Sequence, residues 1–497
     1  MTSTTSTTSS LGMIKEDIIY STKTYCSRCT LIDRKGLILN DAQVVSRDNK
    51  VYLKSLCVHH PSNYTLICSS LEFFNRMSSY NSIELNKSIK DIEDTIISRI
   101  SSNSSSAPSP FTPQQSLALE LNIFQQGTFL TNDQILSNLQ YFQSMYPKNR
   151  KFVLKIMAKG TNDIVTINSI VIFIANTLKG YPILLEVTVE RLGQIGKLPD
   201  SSFLLGKVYP ALKYFLKRGD EDLFAKDLNA LLQVLSQYNG IQAVITIAVE
   251  RPFANLSSIL HLLRSKNELI RFIILSLERP PKDLYQSLQQ RVEKDIQAEK
   301  QSQPLPTPEQ TSQDIINNND PYELIQEIER ATNQTIASSD FFPINVGSAL
   351  EPMLSLMGYG SFAIRPNPFC GFGTCLMNTD SHTSRPINRL FNIGKFYKEI
   401  LPILPQIEEK IGFINGLRLK SIIKSCHYDN VLLPNIFDYF TEKSKADITK
   451  RVIDKTQILI IHNNMDIASL DLRRRCNCAI NTKTKDNNFV SSCTGCI

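Results

Sequence analysis

Between Leu117 and Glu278, short apolar runs alternate with longer amphipathic stretches. Five runs are rich in Ile, Leu and Val and read as strands: Leu117–Ile123, Lys151–Lys159, Pro182–Val189, Ala243–Glu250 and Ile270–Glu278. Between them lie stretches such as NDQILSNLQYFQSMY and DLFAKDLNALLQVLSQY, whose apolar residues recur at helical spacing. The first opens at Asn132, a good helix N-cap. Strand–helix alternation predicts a parallel sheet, doubly wound or barrel-like, and about five or six such units make a partial (β/α) barrel.

The flanks have other patterns. Residues 1–19 are a Ser/Thr-rich tail, read as disordered. Residues 20–75 form a small Cys/His module in which AQVVSRD and KVYLKSLC alternate as two strands of a ribbon. Residues 76–115 read as a linker ending in NSSSAPSPFTPQQ, and residues 296–320 as a second, KQSQPLPTPEQTSQ. The α/β block thus spans 116–295. Residues 321–497 combine a helix over 321–335, an irregular loop region, a helical stretch over 391–412 broken at Pro402 and Pro405, a strand QILIIHN and a cysteine-rich tail. The fold class predicted is α/β: a partial barrel with an N-terminal metal-binding β-ribbon and a C-terminal Cys-rich α+β region.

Composition narrows the function classes. Hydrophobic residues are 42% and charged residues 20% of the 497, the balance of a globular chain. A net charge of +7 is diffuse; its one tight run, Arg473–Arg475, reads as a solvated face, so there is no clear nucleic-acid partner. The N-terminus has no apolar signal core. The most apolar run, Ile164–Leu178, contains Thr, Asn and Ser and is shorter than the ~20 residues of a membrane span. These features predict an intracellular, cytoplasmic protein.

In a reducing compartment the eleven cysteines are thiols, and clustered thiols point to ligation. Cys26 and Cys29 form a C-x-x-C knuckle whose sulfurs face one point; Cys57 and His60, or His59 in its place, close a tetrahedron for zinc or mononuclear iron. Four protein ligands leave no open position, so such a site is structural. The competing reading is a set of buried free cysteines. At the other end Cys476, Cys478, Cys493 and Cys496 could hold zinc or an iron–sulfur cluster, or be reactive thiols of a frayed tail. In NPFCGFGTC, Gly371 and Gly373 next to Cys370 and Cys375 allow close backbone approach to a bulky group such as a cluster, or make a turn. No nucleophile triad and no phosphate loop stands out.

The order of these parts resembles one family. A C-x-x-C, a KVYLKSLC hairpin followed by His, a βα core, D-F-F-P at Asp340–Pro343, R-P-N-P-x-C-G ending at Gly371 and D-L-R-R-R-C ending at Cys476 are together similar to radical S-adenosylmethionine enzymes of the tetraether lipid synthase type. The resemblance implies a metal at Cys26, Cys29, Cys57 and His60. It also implies a 4Fe–4S cluster on Cys370, Cys476, Cys493 and Cys496, with Asn367 where the family tends to have His. A lipid substrate follows from the resemblance alone.

The departure is large. Radical chemistry in that family needs C-x-x-x-C-x-x-C after the first barrel strand, yet no cysteine stands between Ser69 and Phe369. The Gly-Gly-Glu-Pro-like stretch after the second strand is at best MAKGTND, Met157–Asp163. S-adenosylmethionine binding is thereby put in question. The implied protein is a degenerate, non-radical member that partners another protein, unless the gene model is faulty at Asn122–Thr131. The alternatives are a zinc-ribbon scaffold without catalysis and a lipid-modifying enzyme of unconventional cofactor chemistry.

Overall fold

The computed structural model describes residues 16–26, 29, 39–59, 63–80, 117–146, 150–205, 208–216, 221–237, 242–251, 253, 256–277, 320–349, 361–362, 366–378, 384–403, 413–428, 456–465, 469–476, 478–483 and 489–491.

The N-terminal ribbon is larger than its sequence pattern predicts. Four antiparallel strands run in chain order: β1 (Asp17–Tyr25), β2 (Leu39–Arg47), β3 (Lys50–Leu56) and β4 (Asn63–Cys68). The expected pair is β2–β3, turned tightly at Asp48 and Asn49, both at positive φ. The tail expected over 1–19 ends earlier, because β1 begins at Asp17. Helix α1 (Leu71–Ser78), capped by Ser70, occupies the start of what composition marks as linker.

The βα units follow as β5 (Ala118–Asn122), α2 (Asn132–Met145), β6 (Val153–Met157), α3 (Ile164–Thr177), β7 (Ile183–Glu186), α4 (Val189–Gly196), β8 (Val208–Leu216), α5 (Glu221–Leu235), β9 (Ala243–Val249), α6 (Leu256–Arg264) and β10 (Ile270–Leu277). The N-cap of α2 is Thr131, one residue before the expected Asn132, because Thr131 and Gln134 close a capping box. After α7 (Pro321–Ala331) come β11 (Gly371–Asn378), α8 (Ile393–Ile400), α9 (Phe413–Ser425), β12 (Thr456–His462), α10 (Leu472–Cys476) and β13 (Ile480–Lys483).

Strands β5 to β10 lie side by side in chain order, all parallel, and β12 adds a seventh parallel strand beside β10. The sheet is mixed and open: β11 is antiparallel to β12 beyond one end, and β13 extends it past β5. From β5 to β10 the order does not reverse, so right-handed crossovers put the helices that join these strands on one face. That face is apolar. Two buried rows cross it in register, Leu154–Ile183–Val208 and Leu212–Ile245–Ile273–Leu459. The other face is polar at one end, where Lys155 pairs with Glu120 at 3.1 Å and Glu186 at 2.8 Å, and Thr482 on β13 donates to Glu120 at 2.6 Å.

Strand β8 is the one between β5 and β10 that the apolar pattern misses, because Pro210 argues against a central strand. Its position removes the conflict. The carbonyl of Ala211 accepts from Val187 on β7's side, so Pro210 faces the β9 side, and pairing with β9 begins only at Ala211. No ladder bond is lost.

The ribbon is not a separate module. Its Val44, Val51, Leu53 and Ile67 belong to the same buried core as the βα units. Helix α1 makes the join: Phe74 stacks on Phe369 at 4.1 Å, and Phe73 meets Phe372 at 5.1 Å and Tyr322 at 4.8 Å. Aromatic pairs of this kind add to the burial of their area. Phe74→Ala leaves a cavity at that seam and is expected to destabilise the protein by about 3–5 kcal/mol. Because the core is shared, ribbon and sheet should unfold in one transition in denaturant; two separate transitions in the wild-type protein would sink this view of the seam.

Candidate metal centre

Strand β1 delivers Cys26 directly after Tyr25, and β3 delivers Cys57 directly after Leu56. The sulfurs of Cys26, Cys29 and Cys57 all lie within 4.8 Å of one another. Cys29 and Cys57 are 3.6 Å apart, far longer than a disulfide. A tetrahedral zinc with ~2.3 Å bonds to sulfur separates two sulfurs by about 3.8 Å, so this spacing fits a single ion.

The backbone is arranged to match. The Cys29 N–H donates to the sulfur of Cys26, and the His59 N–H donates to the sulfur of Cys57 at 3.4 Å. Such donors stabilise thiolate charge. Without a cation the thiols resist ionisation. Burial pushes Cys26 up, and burial followed by the neighbouring Cys57 and Cys26 pushes Cys29 up to about 12. Three thiolates this close need a positive ion between them.

His60 lies outside the described residues. His59 is exposed, and its ring does not join the three sulfurs. Cys68 is a core residue instead: it is fully buried, and its thiol donates to the Ser70 carbonyl at 3.3 Å.

The C-terminal prediction fares differently. Cys493 and Cys496 lie outside the described residues, as does the side chain of Cys476 at the end of α10. The described cysteine brought near Cys370 is Cys478, with Arg474 donating to the Cys370 sulfur; burial, opposed by Arg474, pushes that thiol up to about 12. Cys375 is five residues along β11, opposite Ile458, about 17 Å away on an extended strand. It does not share the Cys370 site.

The two glycines beside Cys370 serve the sheet. A Cβ on Gly371 would lie 3.0 Å from the Ile461 carbonyl oxygen, and one on Gly373 3.4 Å from that of Leu459. The bulky neighbours are β12 and Ile344, so these glycines need no cluster to explain them, and they lie in a strand rather than a turn. Asn367 shapes the preceding loop: its side chain accepts from the Phe369 N–H and its carbonyl from the Cys370 N–H, both at 2.9 Å. Asp340 is buried in an ion pair with Arg389 at 2.8 Å and caps its own 3-10 turn at Ala337.

The Arg473–Arg475 run is the main feature misread from sequence. It is not a solvated face. Arg474 is 3% exposed and donates to the Asn463 carbonyl at 2.8 Å. Arg475 donates to the Tyr25 hydroxyl at 3.2 Å, and Arg473 lies over the Tyr20 ring at 5.1 Å. Asp471 fixes the segment, accepting from Tyr20 and Thr22 of β1, each at 2.7 Å, and from the Arg473 N–H at 2.9 Å. Three consecutive arginines look like surface in one dimension; only the β1 contacts distinguish them.

Where the resembled family carries its cluster loop, this chain has a hairpin, Phe124–Gln125 against Thr128–Phe129, turned at Gln126 and Gly127 with positive φ. After β6, the loop carbonyls of Ala158 and Thr161 are taken by Arg191, which also donates to Asn162. No helix among the described residues is long and apolar enough to cross a membrane. No family model matches the chain, and no curated protein matches it in sequence.

The thiol environment makes a quantitative statement about metal uptake. Burial holds Cys26 and Cys29 as thiols when the site is empty, so binding one zinc should release about two protons or more, and affinity should fall as pH falls. Zinc titration in a weakly buffered solution with a pH dye measures this; release of fewer than about two protons would remove one cysteine from the ligand set.

Proposed function

We propose that Cys26, Cys29 and Cys57, with His60 as the fourth ligand, hold a zinc or mononuclear iron ion as a structural centre in a radical-SAM-like protein that has lost its radical cluster. The observation that carries the metal part is the convergence of three sulfurs, two of them receiving backbone N–H donors. Four protein ligands leave the ion no open position, so its work is to hold the ribbon.

The chain-order winding of β5 to β10, continued by β12, supports the partial-barrel reading, since a doubly wound sheet reverses its order at a switch point within such a run; β13, parallel beside β5, lies outside that run. The hairpin in place of a cysteine loop supports the non-radical reading. A 4Fe–4S cluster on Cys370, Cys476, Cys493 and Cys496 belongs to the same proposal by resemblance, as do a lipid substrate and an active protein partner.

A second reading, a zinc-ribbon scaffold with no cluster and no catalysis, is favoured by one observation: Gly371 and Gly373 are accounted for by strand packing alone.

Metal and sulfide analysis of anaerobically purified, iron- and sulfide-reconstituted protein separates the two. The first reading expects about one zinc or iron at the ribbon plus about four iron and four sulfide per chain; the second expects zinc only. Cys29→Ala should abolish the ribbon metal in either case, and its retention would end the metal assignment. Neither reading expects 5′-deoxyadenosine from S-adenosylmethionine under reducing conditions, and its appearance would overturn both.

A further inference from the structure

Helix α10 and the residues around it form a strap with two sides. Asp471, Arg473 and Arg475 grip β1, the strand that leads into Cys26. Arg474, between them, points the other way. It reaches the Asn463 carbonyl and the Cys370 sulfur at the C-terminal end of β12.

The second side is tightly built. The Asn463 N–H donates to the Cys370 carbonyl at 3.1 Å, and the Asn463 side chain donates to the Phe369 carbonyl at 3.0 Å. Cys478, just past the helix, is buried against Met465 and tethered by its N–H to the Arg475 carbonyl at 3.3 Å. Cys370 and Cys478 are 4% and 7% exposed. Arg474 has no carboxylate within ion-pair distance among the described residues, and its Nε has no hydrogen-bond partner among them. A buried guanidinium without a counter-charge gains little by staying buried on its own account. It is held there by its neighbours in the helix, and those are held by β1.

We infer that the strap couples the ribbon to the Cys370–Cys478 thiols: while Cys26, Cys29 and Cys57 fix the end of β1, Asp471 keeps the strap seated and both thiols shielded, and releasing β1 exposes them. Metal occupancy at one end of the molecule thereby controls thiol reactivity at the other. The device rests on the metal reading for what fixes β1, and on the reading without a cluster for Cys370, which it takes as a free thiol; the strap itself is independent of both.

Peptide-resolved alkylation of the full chain with iodoacetamide tests this. Three samples are compared: zinc-loaded, chelator-treated and zinc-loaded Asp471→Asn. In the zinc-loaded protein all five cysteines should react slowly. Chelation should speed alkylation of all five, and Asp471→Asn should speed Cys370 and Cys478 alone, by about tenfold for the loss of one charged hydrogen-bond acceptor. Cys426, buried in a separate core, reports global unfolding and should stay protected throughout. If Asp471→Asn exposes Cys426, the milder Tyr20→Phe replaces it, with the same rise expected at Cys370 and Cys478. Chelation that frees only Cys26, Cys29 and Cys57 overturns the coupling. So does a folded strap variant with Cys370 and Cys478 unchanged. A protein that retains no zinc fails the metal reading instead, and the strap variant then decides the coupling alone.

Discussion

The arrangement depends first on one buried carboxylate. Asp471 is 1% exposed and accepts from two side chains of β1 and from the backbone of its own helix. Hydrogen bonds to a charged group are each worth about 1.5–3 kcal/mol, and stranding that group unsatisfied costs more than any one bond gains. Asp471 is therefore committed to β1. Through it the three arginines acquire fixed directions, and so the ribbon, the end of β12 and the Cys370 loop become one unit.

This alters how the ribbon metal is understood. In an isolated zinc module the ion supplies most of the folding energy. Here the four-stranded sheet already shares a core with the βα units, and α1 stacks on the Cys370 loop through Phe73 and Phe74. An ion at the three sulfurs would order the tip where β1 and β3 end, rather than create the fold. Of the β1 residues that contact the strap, Tyr25 is the one next to Cys26, and it meets Arg475.

Much of the architecture is legible from hydrophobic patterning. All five strands expected in the βα block are present, as are the β2–β3 ribbon pair and the strand at QILIIHN. Strand β8 is hidden by Pro210, whose harmlessness depends on where pairing with β9 begins, a fact of register rather than of composition. Strands β1 and β4 are short of strong signals, since β1 is exposed over its first residues and earns its place by pairing. At the site, C-x-x-C and Cys57 are readable because the first two sulfurs are close in sequence and a ribbon brings the third beside them. The neighbours of Cys370 are not readable, because Arg474 and Cys478 come to it through a helix seated on the other end of the chain.

The bond between Tyr20 and Asp471 joins residues 451 positions apart. During synthesis the ribbon emerges well before the acceptor it needs. At ~5–20 residues per second, the ribosome leaves β1 without that partner for roughly 20 to 90 s. Strand β12 is similarly late for β10, as Ile273 waits for Leu459. Between β10 and β12 the nascent chain carries a parallel sheet open at one edge and a ribbon face uncovered, the state in which strands find wrong partners. Early capture of a metal ion by Cys26, Cys29 and Cys57 would organise the ribbon tip long before its clasp exists.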